Sequence, residues 1–115
     1  MTLGQKQRQF TENVADLIHY AYMIGYELSF GDAFRDPRSH GAMGEQKGYG
    51  RANSCHKMRL AIDLNLFKDG VYLNKTEDHR ELGEFWKTLH PDNRWGGDFS
   101  NPDGNHYSCE HNGFK

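Results

Sequence analysis

Apolar residues recur along the 115-residue chain with two different spacings, and each spacing predicts a type of element. Over residues 6–25 they recur every three to four positions, which is typical of a helix with one buried face. Over residues 26–35 apolar and polar residues alternate, which favours a half-buried strand that ends before Pro37. Residues 60–67 form a nearly continuous apolar run, which predicts a buried strand.

The second half of the chain continues the strand with a hairpin and a helix. Lys68-Asp69-Gly70 has the composition of a tight hairpin turn, so residues 71–74 are expected to return as the partner strand. Thr76 is predicted to cap a second helix that ends at Pro91, with an apolar inner face. That inner face comprises Leu82, Phe85, Trp86 and Leu89. Residues 94–111 are interpreted as a loop that feeds a final strand.

A long segment without an aliphatic pattern, residues 36–55, separates the first two strands. It is rich in glycine and carries scattered charges. Unstructured loops of this length are uncommon in compact domains and are often functional. We therefore expect it to form a substrate-binding lid or rim.

Length and composition limit the class of protein. We expect one domain over residues 1–115. The formal charge is −2, with 14 basic and 16 acidic residues, which argues against a nucleic-acid-binding protein. No apolar run reaches the length of a membrane anchor. The N-terminus lacks the apolar segment of a signal peptide, so we expect cytoplasmic synthesis. Cys55 and Cys109 could pair, but cytoplasmic synthesis favours free, partly buried thiols.

The carboxylate of Asp63 is the first sign of chemistry. It lies within the apolar run, where an unpaired charge is costly. A metal ion shared with His56 would compensate for it, since His nitrogen and Asp oxygen are both zinc ligands. His106 can supply the third ligand that a catalytic zinc requires. Because the separation of seven residues is odd, His56 must precede the strand and turn back towards Asp63.

Two further residues would complete a hydrolase. Asp103, three residues before His106, is positioned to take a proton from water and pass it to a leaving amine. Arg35 would face the carbonyl oxygen and stabilise its developing charge. Either histidine–aspartate spacing alone occurs by chance, and only the combination favours a zinc hydrolase.

The same residues resemble a known family, the M15 metallopeptidases, whose pattern is S-x-H-x-x-G-x-A-x-D followed by a late D/E-x-x-H. Ser54-x-His56 and Ala61-x-Asp63 match the first part, and Asp103-x-x-His106 matches the second. Residues 95–98, Trp-Gly-Gly-Asp, are similar to a segment of the phage L-alanyl-D-glutamate peptidases. Where the family has a glycine three residues after the histidine, this chain has arginine at position 59.

The resemblance implies an α+β fold in which a small antiparallel sheet is flanked by helices, as in Hedgehog-type and DD-peptidase domains. It also implies one zinc ion per chain held by His56, Asp63 and His106, with Asp103 as general base and Arg35 as transition-state stabiliser. Ser54, Trp95 and Asp98 are the residues expected to bind substrate.

The implied substrate is a stem peptide of peptidoglycan. The favoured activity is that of a phage or prophage endolysin that reaches the wall through a holin and cleaves the L-Ala–D-Glu bond. The alternatives are a D-Ala-D-Ala carboxypeptidase or dipeptidase, and a non-catalytic, zinc-stabilised wall-binding or phage structural module.

Overall fold

The computed structural model describes residues 1–115 and shows an α+β fold with five strands. The helices are α1 (Leu3–Met23), α2 (Pro37–His40) and α3 (Arg80–Thr88), and the strands are β1 (Glu27–Phe30), β2 (Ala61–Lys68), β3 (Val71–Leu73), β4 (Asn93–Trp95) and β5 (His106–Cys109). Three short 3-10 helices cover Cys55–Met58, Thr76–His79 and Gly96–Asp98. The predicted fold class is confirmed. None of the helices combines the length and the hydrophobicity that a membrane span requires.

The eight-residue strand β2 organises the sheet. All pairings are antiparallel, the order is β1-β2-β5-β4, and β3 also pairs with β2. The first residues of β2 pair with β5, where Asp63 lies opposite His106. Because both members of such a pair point to the same face of a sheet, these two side chains meet.

The core lies where α1 and α3 pack against the sheet. Leu17 of α1, Leu64 of β2 and Trp86 of α3 are all fully buried. Phe10 packs edge-on against Trp86, with ring centroids 5.5 Å apart. Each buried Leu or Phe contributes about 1.5–3 kcal/mol to folding, so these contacts fix both helices relative to β2.

Several local predictions are confirmed. Residues 60–67 form β2 almost as expected, and the turn that follows has positive φ at Asp69 (51°) and Gly70 (77°), as a two-residue hairpin requires. The first helix begins earlier than predicted because Thr2 caps it: its side chain accepts from the backbone N–H of Gln5, and the Gln5 side chain accepts from Thr2 in return.

Other predictions about the elements are wrong. Strand β1 ends at Phe30, because the chain then turns so that Gly31 donates to the Asp63 carbonyl and the Asp32 carbonyl accepts from the Asp63 N–H. Thr76 begins a 3-10 helix rather than capping an α-helix, and α3 begins only at Arg80. Strand β4, which the sequence interpretation placed in a loop, is held by its pairing with β5.

Candidate metal centre and active site

His56, Asp63 and His106 converge at one end of β2. His56 lies in the 3-10 helix before the strand, where the Ser54 hydroxyl accepts from its backbone N–H. His56 Nε2 and His106 Nδ1 lie 3.2 and 3.4 Å from the same oxygen of Asp63, Oδ1. One ligand atom from each residue lies within 4.8 Å of the other two, so the group could hold a metal ion.

The hydrogen bonding of His56 suits a cation between these atoms. Its Nδ1 lies 2.9 Å from the carbonyl oxygen of Ala33, which can only accept, so Nδ1 carries the proton. In the neutral ring Nε2 is then a lone pair that faces the Asp63 carboxylate at 3.2 Å. Two such acceptors repel unless a cation or a proton lies between them. Ligands around a tetrahedral zinc are about 3.4 Å apart, which matches the observed spacings.

The surroundings keep Asp63 ionised. Burial alone would raise the pKa of Asp63, but the His106 and His56 rings beside it outweigh burial and hold that pKa below its usual range. The Arg35 guanidinium adds a positive charge at 3.9 Å. His56 and His106 are 1% and 6% exposed, so the surrounding protein holds this nitrogen–oxygen–nitrogen donor set. Zinc fits this set.

Arg35 is held in place from three directions. Its Nε lies 3.3 Å from Asp32, its Nη1 donates to the Ser54 hydroxyl at 3.2 Å, and its backbone N–H donates to the His56 carbonyl. The Tyr49 hydroxyl donates to the same Asp32 carboxylate, and that bond is the main reason why the pKa of Asp32 is lowered. Sequence reasoning missed Asp32 and Tyr49. The spacing of three residues from Asp32 to Arg35 was the available signal for the first.

Asp103 lies on the wall of a cavity of about 200 Å³ that also exposes His56 and His106. Its backbone N–H donates to the Gly96 carbonyl, and its own carbonyl accepts from the His106 N–H. A side chain at Gly96 could not be accommodated, since a Cβ there would lie 2.0 Å from the Asp103 carbonyl oxygen. The predicted base, the two predicted histidine ligands and the arginine therefore share one cavity, in which the remaining wall is formed by Tyr49, Arg51, Asn53, Ser54, Phe99 and Lys115.

Of the three predicted substrate-binding residues, one is placed elsewhere. Trp95 is 1% exposed, its ring N–H donates to the Gly104 carbonyl, and Cβ atoms at Gly83 and Gly97 would lie 2.2 and 2.3 Å from its ring. The expected direct contact of Trp95 with substrate is therefore wrong, because its ring fills a slot in the core. Ser54 does line the cavity, and there it supports Arg35 and His56. Asp98 lines an adjoining cavity, and its carboxylate is paired with Lys87 at 2.7 Å.

The long segment before His56 forms part of the cavity wall. Its fold is held by Lys57, which is 8% exposed and whose ammonium donates to the carbonyls of Ala42, Glu45 and Ala52. This tether places Arg51 and the residues beside it at the cavity. Sequence reasoning identified the segment but not the lysine that orders it.

Arg59 stands where the family pattern has glycine. Its backbone is left-handed (φ 57°, ψ 35°) at the end of the 3-10 helix, a conformation that glycine adopts without strain. The Arg59 guanidinium lies 3.9 Å from the centroid of the Phe34 ring, outside the catalytic cavity. The arginine at position 59 therefore does not disturb the group formed by His56, Asp63 and His106.

Comparison with known proteins agrees with this geometry. Residues 47–109 match the model of a peptidase family, M15, described as D-alanyl-D-alanine carboxypeptidase. Among solved structures, the fold is similar to that of the L-Ala D-Glu endopeptidase ChiX from Serratia marcescens, with a TM-score of 0.60 and 15% identity over 93% of this chain and 85% of that chain. No curated protein sequence gives a significant match.

The two cysteines, Cys55 and Cys109, are free and buried.

Proposed function

The chain belongs to the M15 peptidase family, and we propose that it is a zinc-dependent peptidase that hydrolyses the stem peptides of peptidoglycan. The observation that carries the zinc assignment is the orientation of His56. Its protonated Nδ1 is committed to the Ala33 carbonyl, so its Nε2 lone pair faces the Asp63 carboxylate beside His106 Nδ1. These three side chains would hold one ion per chain.

A zinc ion held there would supply Lewis-acid chemistry, which polarises a carbonyl group and makes water easier to deprotonate near neutral pH. The residues of the chain would do the rest. Asp103 accepts the proton of the attacking water and delivers it to the leaving amine. Arg35 turns its guanidinium towards the negative charge that develops on the carbonyl oxygen. Because Asp32 and Ser54 already hold Arg35, little reorganisation is needed during the reaction.

We favour cleavage of the L-Ala–D-Glu bond over removal of a terminal D-Ala. The fold similarity to an L-Ala D-Glu endopeptidase supports the first, and the description of the family model supports the second. The cavity that contains Asp103 also continues into a second one, which leaves room for substrate beyond the scissile bond. Action as an endolysin after release through a holin stays a prediction from the resemblance.

Metal analysis and digestion of defined muropeptides test this proposal. The purified protein should contain about one zinc per chain, and product masses should identify the bond that is cut. Asp103→Asn should retain the zinc and lose about 10²–10⁴-fold in turnover, the usual contribution of a general base. Asp69→Asn is the matched control, since it removes the same charge from the exposed hairpin turn.

Each alternative gives a different result. Undiminished turnover of Asp103→Asn would refute the assignment of the base. A protein that binds zinc and hydrolyses no muropeptide would instead be the non-catalytic wall-binding or structural module. Absence of both zinc and hydrolysis would refute the proposed function altogether.

A further inference from the structure

The catalytic cavity does not end at the metal-binding group. It adjoins a second cavity of about 440 Å³, and Arg51, Phe99 and Lys115 line both. If the scissile bond lies at the metal-binding group, a peptide bound across both cavities would pass these three residues on its way into the second cavity. They are therefore placed to contact a substrate group next to the bond that is cut.

The junction of the two cavities, lined by Arg51, Phe99 and Lys115, is positively charged, whereas the whole chain has a negative net charge. The chain carries −2, yet Arg51 and Lys115 both line the junction, and none of the salt bridges in the structure includes either residue. The acid of the second cavity, Asp98, is paired with Lys87 at 2.7 Å. In the catalytic cavity Asp103 is the only acidic lining residue. An anionic ligand would find there two cations that no side-chain carboxylate pairs, although the Lys115 ammonium also lies 5.8 Å from the centroid of the Phe99 ring.

Arg51 is also held in position. The carbonyl of the next residue, Ala52, accepts from both the Lys57 ammonium and the Gly44 N–H. The backbone that carries Arg51 is thus fixed while its guanidinium stays exposed. A guanidinium suits a carboxylate because it can form two parallel hydrogen bonds with it. The partly buried Phe99 ring beside it reduces access of water to such a pair.

We propose that Arg51, assisted by Lys115, forms a subsite for a substrate carboxylate next to the scissile bond. In a stem peptide whose D-Glu is linked through its side chain, the free α-carboxylate is such a group. The enzyme then prefers acidic stem peptides to those in which this carboxylate is amidated. The inference rests on the proposed function, since it names the substrate class of that same cleft.

Two synthetic pentapeptides test the subsite: L-Ala-γ-D-Glu-L-Lys-D-Ala-D-Ala and its counterpart with the D-Glu α-carboxylate amidated. Both contain the L-Ala–D-Glu and the D-Ala–D-Ala bond. Hydrolysis is measured with the zinc-loaded enzyme, and binding is measured by calorimetry in an Asp103→Asn background, in which hydrolysis should be about 10²–10⁴-fold slower. Lys47→Met is the matched control for Arg51→Met, because Lys47 lies in the same segment and lines neither cavity.

The unsubstituted enzyme should favour the acidic peptide by about tenfold, the equivalent of one favourable charged contact. Arg51→Met should raise KM and Kd for the acidic peptide by about that factor and leave kcat and the amidated peptide nearly unchanged. Arg51→Lys should restore part of the preference, Lys115→Met should lower it less, and Lys47→Met should keep it. Equal melting temperatures of the variants would show that all are folded.

The two readouts separate this inference from the proposed function. Hydrolysis of both peptides without a preference, or an equal effect of Arg51→Met and Lys47→Met, would overturn the subsite and leave the peptidase. A preference in binding that depends on Arg51, without any hydrolysis, would support the subsite and refute the peptidase. Absence of both binding and hydrolysis would overturn both.

Discussion

The buried ammonium of Lys57 is the group on which one wall of the catalytic cavity depends. It donates to three backbone carbonyls drawn from both ends of the segment it holds, at Ala42, Glu45 and Ala52, and it forms no salt bridge. Lys57→Met keeps most of the side-chain volume and removes all three donors. The Glu45 carbonyl, which has no other donor, must then be left unsatisfied or hydrated, whereas the Ala42 and Ala52 carbonyls keep the backbone N–H groups of Glu45 and Gly44.

The structure indicates which of these happens. Leaving the Glu45 carbonyl unsatisfied would cost about 1–3 kcal/mol, and the loss of two further hydrogen bonds from a charged donor adds to that cost. Most side chains of the segment over residues 42–49 are exposed, so its backbone can reach water by opening locally. The cost of opening is smaller than that of unfolding the core, which the segment does not join. We expect Lys57→Met to favour the opened segment by about 3 kcal/mol, roughly a hundredfold in population.

Limited digestion with trypsin measures this opening directly, since Arg38, Lys47 and Arg51 lie within the segment. Lys57→Met should be cut there about ten to a hundred times faster than the unsubstituted protein, and it should retain its zinc. Lys68→Met is the control, because Lys68 is exposed and lies far from the segment in the β2–β3 turn region. Equal cutting rates for Lys57→Met and Lys68→Met would refute the tether.

Three further predictions concern the core. Burial lowers the pKa of His79 from 6.5 to about 4, so the unfolded state binds more protons than the folded state between these pH values. Stability should therefore fall as pH drops through that window, by about 2 kcal/mol at pH 5. In urea denaturation His79→Asn should lack this loss, and an unchanged pH dependence of the variant would contradict the reasoning. Gly83→Ala would stabilise an isolated helix, but a Cβ there would lie 2.2 Å from the Trp95 ring, so the free energy of unfolding should drop by about 1–3 kcal/mol. Chemical denaturation measures this free energy, and a rise would show that the Trp95 ring is loosely packed. Burial raises the pKa of the Cys55 thiol to about 12, so Cys55 and the buried Cys109 should react with a thiol reagent at pH 8 only after unfolding, and fast labelling of the native protein would argue against their burial.

Features that depend on neighbouring residues could be predicted from the sequence. Strand β2 follows from a continuous apolar run, and the hairpin after it follows from Asp69 and Gly70, which tolerate positive φ. The convergence of His56, Asp63 and His106 could be predicted because a carboxylate in that run requires a cation, and few residues could share one. The boundary errors at β1 and Thr76 arose where hydrogen bonds to Asp63 and an intervening 3-10 helix outweighed local preference.

Contacts between distant segments decided the rest. The inward position of Trp95 depends on Gly83, a residue of α3 that leaves space for its ring. One wall of the cavity depends on the Lys57 ammonium, which donates to three backbone carbonyls of the segment before it. These hydrogen-bond partners could not be predicted from the sequence around Lys57. Chemical identity thus specified which groups could bind a metal ion, because charge and ligand chemistry are properties of single residues. The shape of the cleft required the folded chain, because packing and hydrogen bonding are properties of pairs.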